Sequence, residues 1–475
     1  MTAELRAAVA IGERLAAEAV WSGERCNWVG AEPVNLLNGP GRALTYQALG
    51  PDLYGGSAGV ALFLAQLAAT VGQDSGRGRL RATALAAMRH AISRRDQVEP
   101  IARLGFYAGW AGLAAAALRV GALLGSAECA EAGIALSHDV GRLAEEPGER
   151  QYDLMSGTAG AVLALILAYR CTGDRTMAEA AAGAADWLLG SAAKTRTGWS
   201  WRSPGVRNQR DLTGISHGAA GVAVALVEAF LLTGQERFAA GARNAMRYEN
   251  RWLNREEGNW PDFRENPGNR RSRTYATLWC HGAPGIALSR LHAYAHLGDP
   301  RWRQDAITAL GTTERATGPL VESGSTNFSL CHGLTGNAEP FQEARALLGA
   351  DAVGTDVPAL VAAHGQQRYA DTGYPWPCGT HTAETPSLML GLAGIGYFYL
   401  RRFSPHIPSV LLPVRWAPGL RHAQVKRDDP GMETCEDRLI PTTGVPGRPR
   451  PQEAGPVAVR GGRREGRTRG ARTAS

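Results

Sequence analysis

The chain has 475 residues, 44% hydrophobic and 7% aromatic, with a net charge of +7 and seven scattered cysteines. This supports one large core and excludes a disulfide framework, pointing to a reducing, cytoplasmic setting. Apolar runs are too short to span a bilayer, and residues 415–475 hold 13 Lys/Arg against 7 Asp/Glu, so the rest is about +1 and no nucleic-acid surface is expected.

The N-terminal stretch MTAELRAAVAIGERLAAEAVW carries acidic residues throughout and is no signal peptide. Seven segments then repeat one pattern: a polar or glycine-rich entry, G-x-x-G, and an apolar run. They begin at Leu53 (LYGGSAGVALFLAQLA), Phe106 (FYAGWAGLAAAAL), Tyr152 (YDLMSGTAGAVLALILAY) and Gly214 (GISHGAAGVAVALVEAF). The others begin at Leu278 (LWCHGAPGIALSRLHAY), Ser329 (SLCHGLTGNAEPFQEA) and Ser387 (SLMLGLAGIGYFYLRR). Their leading glycines, Gly56, Gly109, Gly157, Gly218, Gly282, Gly333 and Gly391, are spaced by 48 to 64 residues, room for two helices and two connections.

Between them lie charged amphipathic segments such as QERFAAGARNAMRYENRWL, with apolar residues at helical spacing. Buried glycine-led helices alternating with half-exposed ones predict an all-α fold, an α/α toroid of seven helical hairpins. Glycine at each entry would allow unusual backbone angles and close approach. No strand pattern competes over a comparable length. Residues 1–413 form this domain, and 414–475 read as a disordered Pro/Gly/Arg-rich tail. Removing 415–475 is expected to leave folding unchanged.

In such a ring, equivalent positions face one cavity. Two residues before each leading glycine stand Tyr54, Tyr107, Met155, Ser216, Cys280, Cys331 and Met389; one residue before stand Gly55, Ala108, Ser156, His217, His281, His332 and Leu390. Cys280, Cys331 and His332 make a Cys₂His set, the donors of a tetrahedral zinc with one open position, as in catalytic sites. Cys280 and Cys331 could instead be buried packing residues, but the doubled CHG favours metal. Cys378 and His381 are a rival ligand pair by spacing, although their Pro/Gly-rich surroundings read as a rigid loop. His217 has no cysteine beside it, which leaves an imidazole able to move protons. Asp153 has three open roles: orienting His217, binding a substrate backbone, or capping the following helix.

YDLMSGTAG, GISHGAAG, WCHGAPG and CHGLTGN, with GNWPDF and ETPSLMLGLAGIGYFYLRR, resemble the lanthionine synthetase C-like family to about Pro413, most of all the C-terminal cyclase domain of class II lanthipeptide synthetases. The resemblance implies a zinc at Cys280, Cys331 and His332, acid/base roles at His217 and Asp153, and addition of peptide cysteine thiols to dehydroalanine or dehydrobutyrine. It also implies a dehydrated precursor peptide as substrate. Many free-standing cyclases carry tyrosine where His281 stands. The family's active-site arginine has no certain match; Arg273 is the candidate and Arg264 the alternative, and either also reads as surface charge. No dehydratase portion is recognisable, so a separate dehydratase is expected. Two other readings remain: addition of a small thiol such as glutathione to dehydroamino acids, and a non-catalytic peptide-binding scaffold.

Overall fold

A computed structural model describes residues 1–35, 42–72, 76–202, 210–264, 273–324, 327–349, 353–370, 372–380 and 383–416. Among these residues fourteen α-helices follow in order. They are α1 (Ala3–Glu18), α2 (Ser57–Thr70), α3 (Arg77–Ser93), α4 (Trp110–Leu124), α5 (Ala127–Glu145), α6 (Thr158–Thr172) and α7 (Arg175–Ser191). Then come α8 (Ala219–Thr233), α9 (Glu236–Asn250), α10 (Ala283–Leu297), α11 (Pro300–Ser323), α12 (Leu334–Leu348), α13 (Val357–Gly365) and α14 (Leu392–Phe403). None is long and apolar enough to cross a membrane.

Each even-numbered helix begins directly after a leading glycine, which is its N-cap. These helices are apolar on nearly all sides and correspondingly buried; in α2 every residue from Ser57 to Ala68 is. Each packs on the next, and α14 packs back on α2, closing an inner ring. The odd-numbered helices bury one face on that ring, as their amphipathic pattern requires. The expected all-α toroid of seven hairpins is what forms.

Two details differ from the sequence reading. The outer partner of α14 is α1, from the opposite end of the chain, and Arg14 ties the two ends with hydrogen bonds of 2.9 and 2.6 Å to the Glu384 carboxylate. Three short antiparallel hairpins are also present: Val20–Ser22 with Arg25–Asn27, Val29–Asn35 with Arg42–Ala48, and Ala193–Thr195 with Gly198–Ser200. They lie in connections between helices; two have strands of only three residues, and Val29–Asn35 is interrupted by Gly30 and Pro33, so no alternating pattern stands out in the sequence.

The leading glycines serve close approach more than unusual angles. Six have extended backbone with negative φ, and only Gly282 (φ +99°) lies in the region that favours glycine. A Cβ at Gly391 would stand 1.9 Å from the Thr385 carbonyl oxygen, and one at the second glycine of that motif, Gly394, 1.9 Å from the Leu388 carbonyl oxygen. The entry loops fold tightly over the helix starts, leaving no room for a side chain.

That folding creates a closed collar. The residue two before each leading glycine donates its backbone N–H to the carbonyl of its counterpart in the next repeat. The chain of bonds runs Tyr54 to Tyr107 (2.9 Å), Tyr107 to Met155 (3.2 Å), Met155 to Ser216 (3.1 Å) and Ser216 to Cys280 (3.4 Å). It continues Cys280 to Cys331 (3.4 Å), Cys331 to Met389 (3.0 Å) and Met389 back to Tyr54 (3.0 Å).

The segment from Ile407 to Trp416 packs into the ring, and polar side chains of the inner helices and entry loops bind its carbonyls. Arg401 Nε donates to Ile407 (2.9 Å), Tyr107 Oη to Val410 (2.8 Å), Trp279 Nε1 to Leu411 (3.2 Å), Arg170 to Val414 (3.0 Å) and Arg119 to Trp416 (2.8 Å). Val410 and Leu411 are fully buried, and Trp416 packs edge-on against Phe106. The packed chain therefore runs three residues past the Pro413 boundary, because a buried tryptophan and two arginine-bound carbonyls lie beyond it. The tail reading from residue 417 onward lies outside the described residues. A truncation should thus end at Trp416. Deleting 417–475 is expected to leave the melting temperature unchanged, whereas ending the chain at Pro413 should cost at least about 3 kcal/mol, the scale for a lost core tryptophan. Thermal denaturation of the two truncations, followed by circular dichroism, checks this.

Candidate active site

Cys280 and Cys331 are successive members of the collar, so the backbone bond between them sets their side chains next to each other. Both are free thiols and both are buried. The thiols face one another: Cys280 is held below the usual thiol range first by the Cys331 thiol, against burial, with help from the charge of Arg264. Cys331 is pushed well above that range by Cys280 and by burial. The Tyr54 phenol, from the first repeat, also faces Cys331.

His332 follows Cys331 in the chain. Its Nε2 lies 3.0 Å from the Gly379 carbonyl oxygen. A carbonyl only accepts, so Nε2 carries the proton and the ring's lone pair sits on Nδ1. A Cβ at Gly379 would stand 2.7 Å from Nε2, so glycine is needed for this approach. The PWPCGTHT loop is thereby a support for His332. Cys378 itself has its sulfur 4.0 Å from the Thr385 carbonyl, away from the thiol pair, and burial pushes it up to about 12. His381 lies outside the described residues.

Among the described residues no three His, Cys, Asp or Glu side chains are gathered into a metal cage. What is assembled is the thiol pair, and His332, next to Cys331 in the chain, is held by the Gly379 carbonyl. The donor chemistry fits zinc: two facing sulfurs, and a histidine whose other ring nitrogen is fixed by a backbone carbonyl, the usual support for a ligating imidazole.

His217 and Asp153 are brought together. His217 Nδ1 lies 2.7 Å from Asp153 Oδ2, while Asp153 Oδ1 accepts the Ser156 N–H at 2.7 Å. Of the three roles open to Asp153, it therefore orients His217 and also fastens the turn ahead of α6, one residue short of the helix N-cap. Burial works against the His217 imidazolium, but Asp153 outweighs it and raises the group above its ordinary value of 6.5. The Tyr152 hydroxyl donates to the His217 carbonyl (2.8 Å), fixing the backbone as well. His281, in the equivalent slot of the next repeat, stacks on His217 with ring centroids 6.0 Å apart. It is buried, with Asp262 Oδ1 3.8 Å from Nδ1, and burial together with Arg264 lowers it to about 3, so it is neutral near pH 7.

The two candidate arginines are placed differently. Arg273 lies over the Trp252 ring, 5.5 Å from its centroid. Arg264, the alternative, pairs with Asp262 (Nη2–Oδ2 2.6 Å), and its charge reaches Cys280, Cys331, His217 and His281. The physical reason is the Asp262 anchor, which turns Arg264 back toward the thiols. In metal-free protein Arg264→Gln is expected to shift the pH dependence of iodoacetamide labelling of Cys280 to higher pH, and Arg273→Gln to leave it in place. Labelling rates across pH, read by peptide mapping, decide between them.

Sequence reasoning assigned no role to Asp262, Gly379 or Tyr54. Asp262 stands in GNWPDF, and Tyr54 occupies the slot that Cys280 and Cys331 fill in later repeats. Gly379 had no signal beyond its Pro/Gly-rich loop.

Comparison with known proteins follows the same lines. A family model described as lanthionine synthetase C-like protein matches residues 47–412. Glutathione S-transferase LANCL1 of Danio rerio is 28% identical over 201 residues, 42% of this chain and 44% of that protein. The lacticin 481/lactococcin biosynthesis protein LcnDR2 of Lactococcus lactis subsp. lactis is 25% identical over 138 residues, 28% of this chain and 14% of that protein. The aligned regions thus span less than half the length of either relative. Among solved structures, nisin cyclase superposes with a TM-score of 0.59 at 16% identity, over 77% of this chain and 93% of that one. At that identity the likeness is one of fold.

Proposed function

This chain belongs to the lanthionine synthetase C-like family, and from that we propose that it closes thioether rings in a dehydrated precursor peptide. A cysteine sulfur of the peptide bonds to the β-carbon of a dehydroalanine or dehydrobutyrine. The C=C π pair moves toward the α-carbon and its carbonyl, the thiol proton leaves to solvent, and the α-carbon takes a proton. The net change is the addition of S–H across C=C. Cys280, Cys331 and His332 would hold a zinc ion, and such an ion lowers the pKa of an incoming thiol and keeps it nucleophilic at neutral pH.

The observation that carries the reading is the His217–Asp153 pair standing in the same collar as the facing thiols, one repeat away. His217, whose pKa Asp153 raises against burial, is the donor for the α-carbon. Neutral His281 stacks on its ring and limits its rotation. Arg264 adds positive charge where a thiolate and then an enolate develop. On this reading a separate dehydratase prepares the Ser and Thr residues.

A second reading, addition of a free small thiol such as glutathione, draws support from the Danio rerio relative, whose name is that of a glutathione transferase. One experiment separates them. A peptide with one cysteine and one dehydroalanine is incubated with the protein, with and without glutathione, then alkylated and weighed by mass spectrometry. Loss of the alkylatable thiol without a mass change supports ring closure. A glutathione adduct with the peptide thiol intact supports the second reading. Neither product from a peptide that binds would leave a scaffold.

A further inference from the structure

Three exposed arginines surround one partly buried indole beside the site. Arg210, Arg251 and Arg273, from two connecting segments and the end of α9, place their guanidinium carbons 4.8, 5.0 and 5.5 Å from the Trp252 ring centroid. Like charges gathered this closely repel one another, and the arrangement is favourable only in part through the ring. Among the described residues, the carboxylates of Asp211, Asp262 and Glu249 are engaged elsewhere. Asp211 accepts from Ser200 at 2.6 Å, Asp262 is paired with Arg264, and Glu249 is paired with Arg290 at 2.9 Å. Among the described residues, no ion pair includes any of the three arginines; Arg251 only donates to the Thr197 hydroxyl.

The cluster is linked to the thiols through one ring contact and the residue that follows it. The Phe263 ring packs edge-on against Trp252 at 5.1 Å, and the next residue is Arg264, whose charge reaches Cys280 and Cys331. We infer that Arg210, Arg251 and Arg273 around Trp252 form a docking site for an acidic segment of the substrate peptide, which holds the chain while its reactive residues lie at the thiols. The inference rests on the peptide-modifying function proposed above. The geometry favours a peptide over a nucleic acid, because the charges converge on one point and lead inward to the site. A phosphate backbone would be met by charges in a row along the surface. Guanidinium groups suit carboxylates, which they bind with paired N–H donors.

The test uses two short fluorescein-labelled peptides, one of glutamate and serine and one with every glutamate replaced by glutamine. Neither contains cysteine or a dehydro residue, so binding is read independently of thioether chemistry. By fluorescence anisotropy the glutamate peptide should bind the full chain, the glutamine peptide should not, and added salt should weaken the complex. In the triple variant R210Q/R251Q/R273Q, affinity should fall about tenfold, the sum of three modest ion pairs; unchanged circular dichroism establishes that it is folded. Equal binding to wild type and variant, or equal binding of the two peptides, overturns the inference. So does tighter binding of a uridine-rich RNA that depends on the same arginines. If the glutamate peptide docks as expected while no thioether forms in any assay, the docking site stands and the proposed chemistry fails.

Discussion

Cys331→Ala is expected to purify with almost no zinc, where wild type carries about one ion per chain, and to lose thioether formation altogether. The mutation removes one of two facing sulfurs and leaves Cys280 alone with the His332 imidazole, a pair too poor in ligands to retain the metal. Elemental analysis of the two proteins purified side by side measures it. Cys378→Ala serves as the matched control: it too removes a buried thiol, but one that contacts Thr385 rather than the pair, so its zinc content should equal wild type. Metal-free wild type would sink the zinc-dependent chemistry. Equal loss in both variants would show only that the fold is intolerant of smaller side chains.

The second large effect concerns protons. His217→Asn should lower the cyclisation rate by about 10²–10⁴-fold, the usual contribution of a positioned acid, while leaving zinc content intact. Asp153→Asn should act on the pH profile as well as on the rate. The reaction needs the imidazolium, so activity is full below the His217 pKa and falls as pH rises through it. Asp153 holds that pKa above 6.5 against burial, which places the alkaline limb of wild type above the ordinary histidine value. Without the carboxylate, burial prevails and the limb should move below it. Single-turnover rates across pH for wild type and Asp153→Asn give the comparison, and coincident limbs would remove His217 from the role of acid.

Much of this was legible because the chain repeats itself. Apolar runs after each G-x-x-G determine the buried helices, and the repeat register brings Cys280 and Cys331 to equivalent positions. The collar places those positions side by side. His217 was legible for the same reason. The arginine was not: Arg264 and Arg273 both fall in an irregular segment without repeat partners, and Asp262, which turns one of them inward, is itself a loop residue. The support of His332 by Gly379 was hidden because it joins residues 47 apart through a backbone carbonyl, for which side-chain spacing carries no signal. The partner of α14 was missed because every other hairpin is local in sequence, and this one spans the whole domain.

The seven-membered ring of backbone bonds has a consequence for how the protein comes apart. An open stack of repeats frays from its terminal units, which can melt while the middle persists. A circle has no terminal unit, and its last link needs Met389 to meet Tyr54, and α14 to meet α2, across nearly the whole domain. Such a long-range closure is slow to make. Once made, opening any one junction frees both neighbours. The molecule should therefore lose its seven repeats together, with the sulfur pair becoming reactive to bulk alkylating agents in the same transition. Among the described residues, α1 and α14 mark only where the circle happens to be cut.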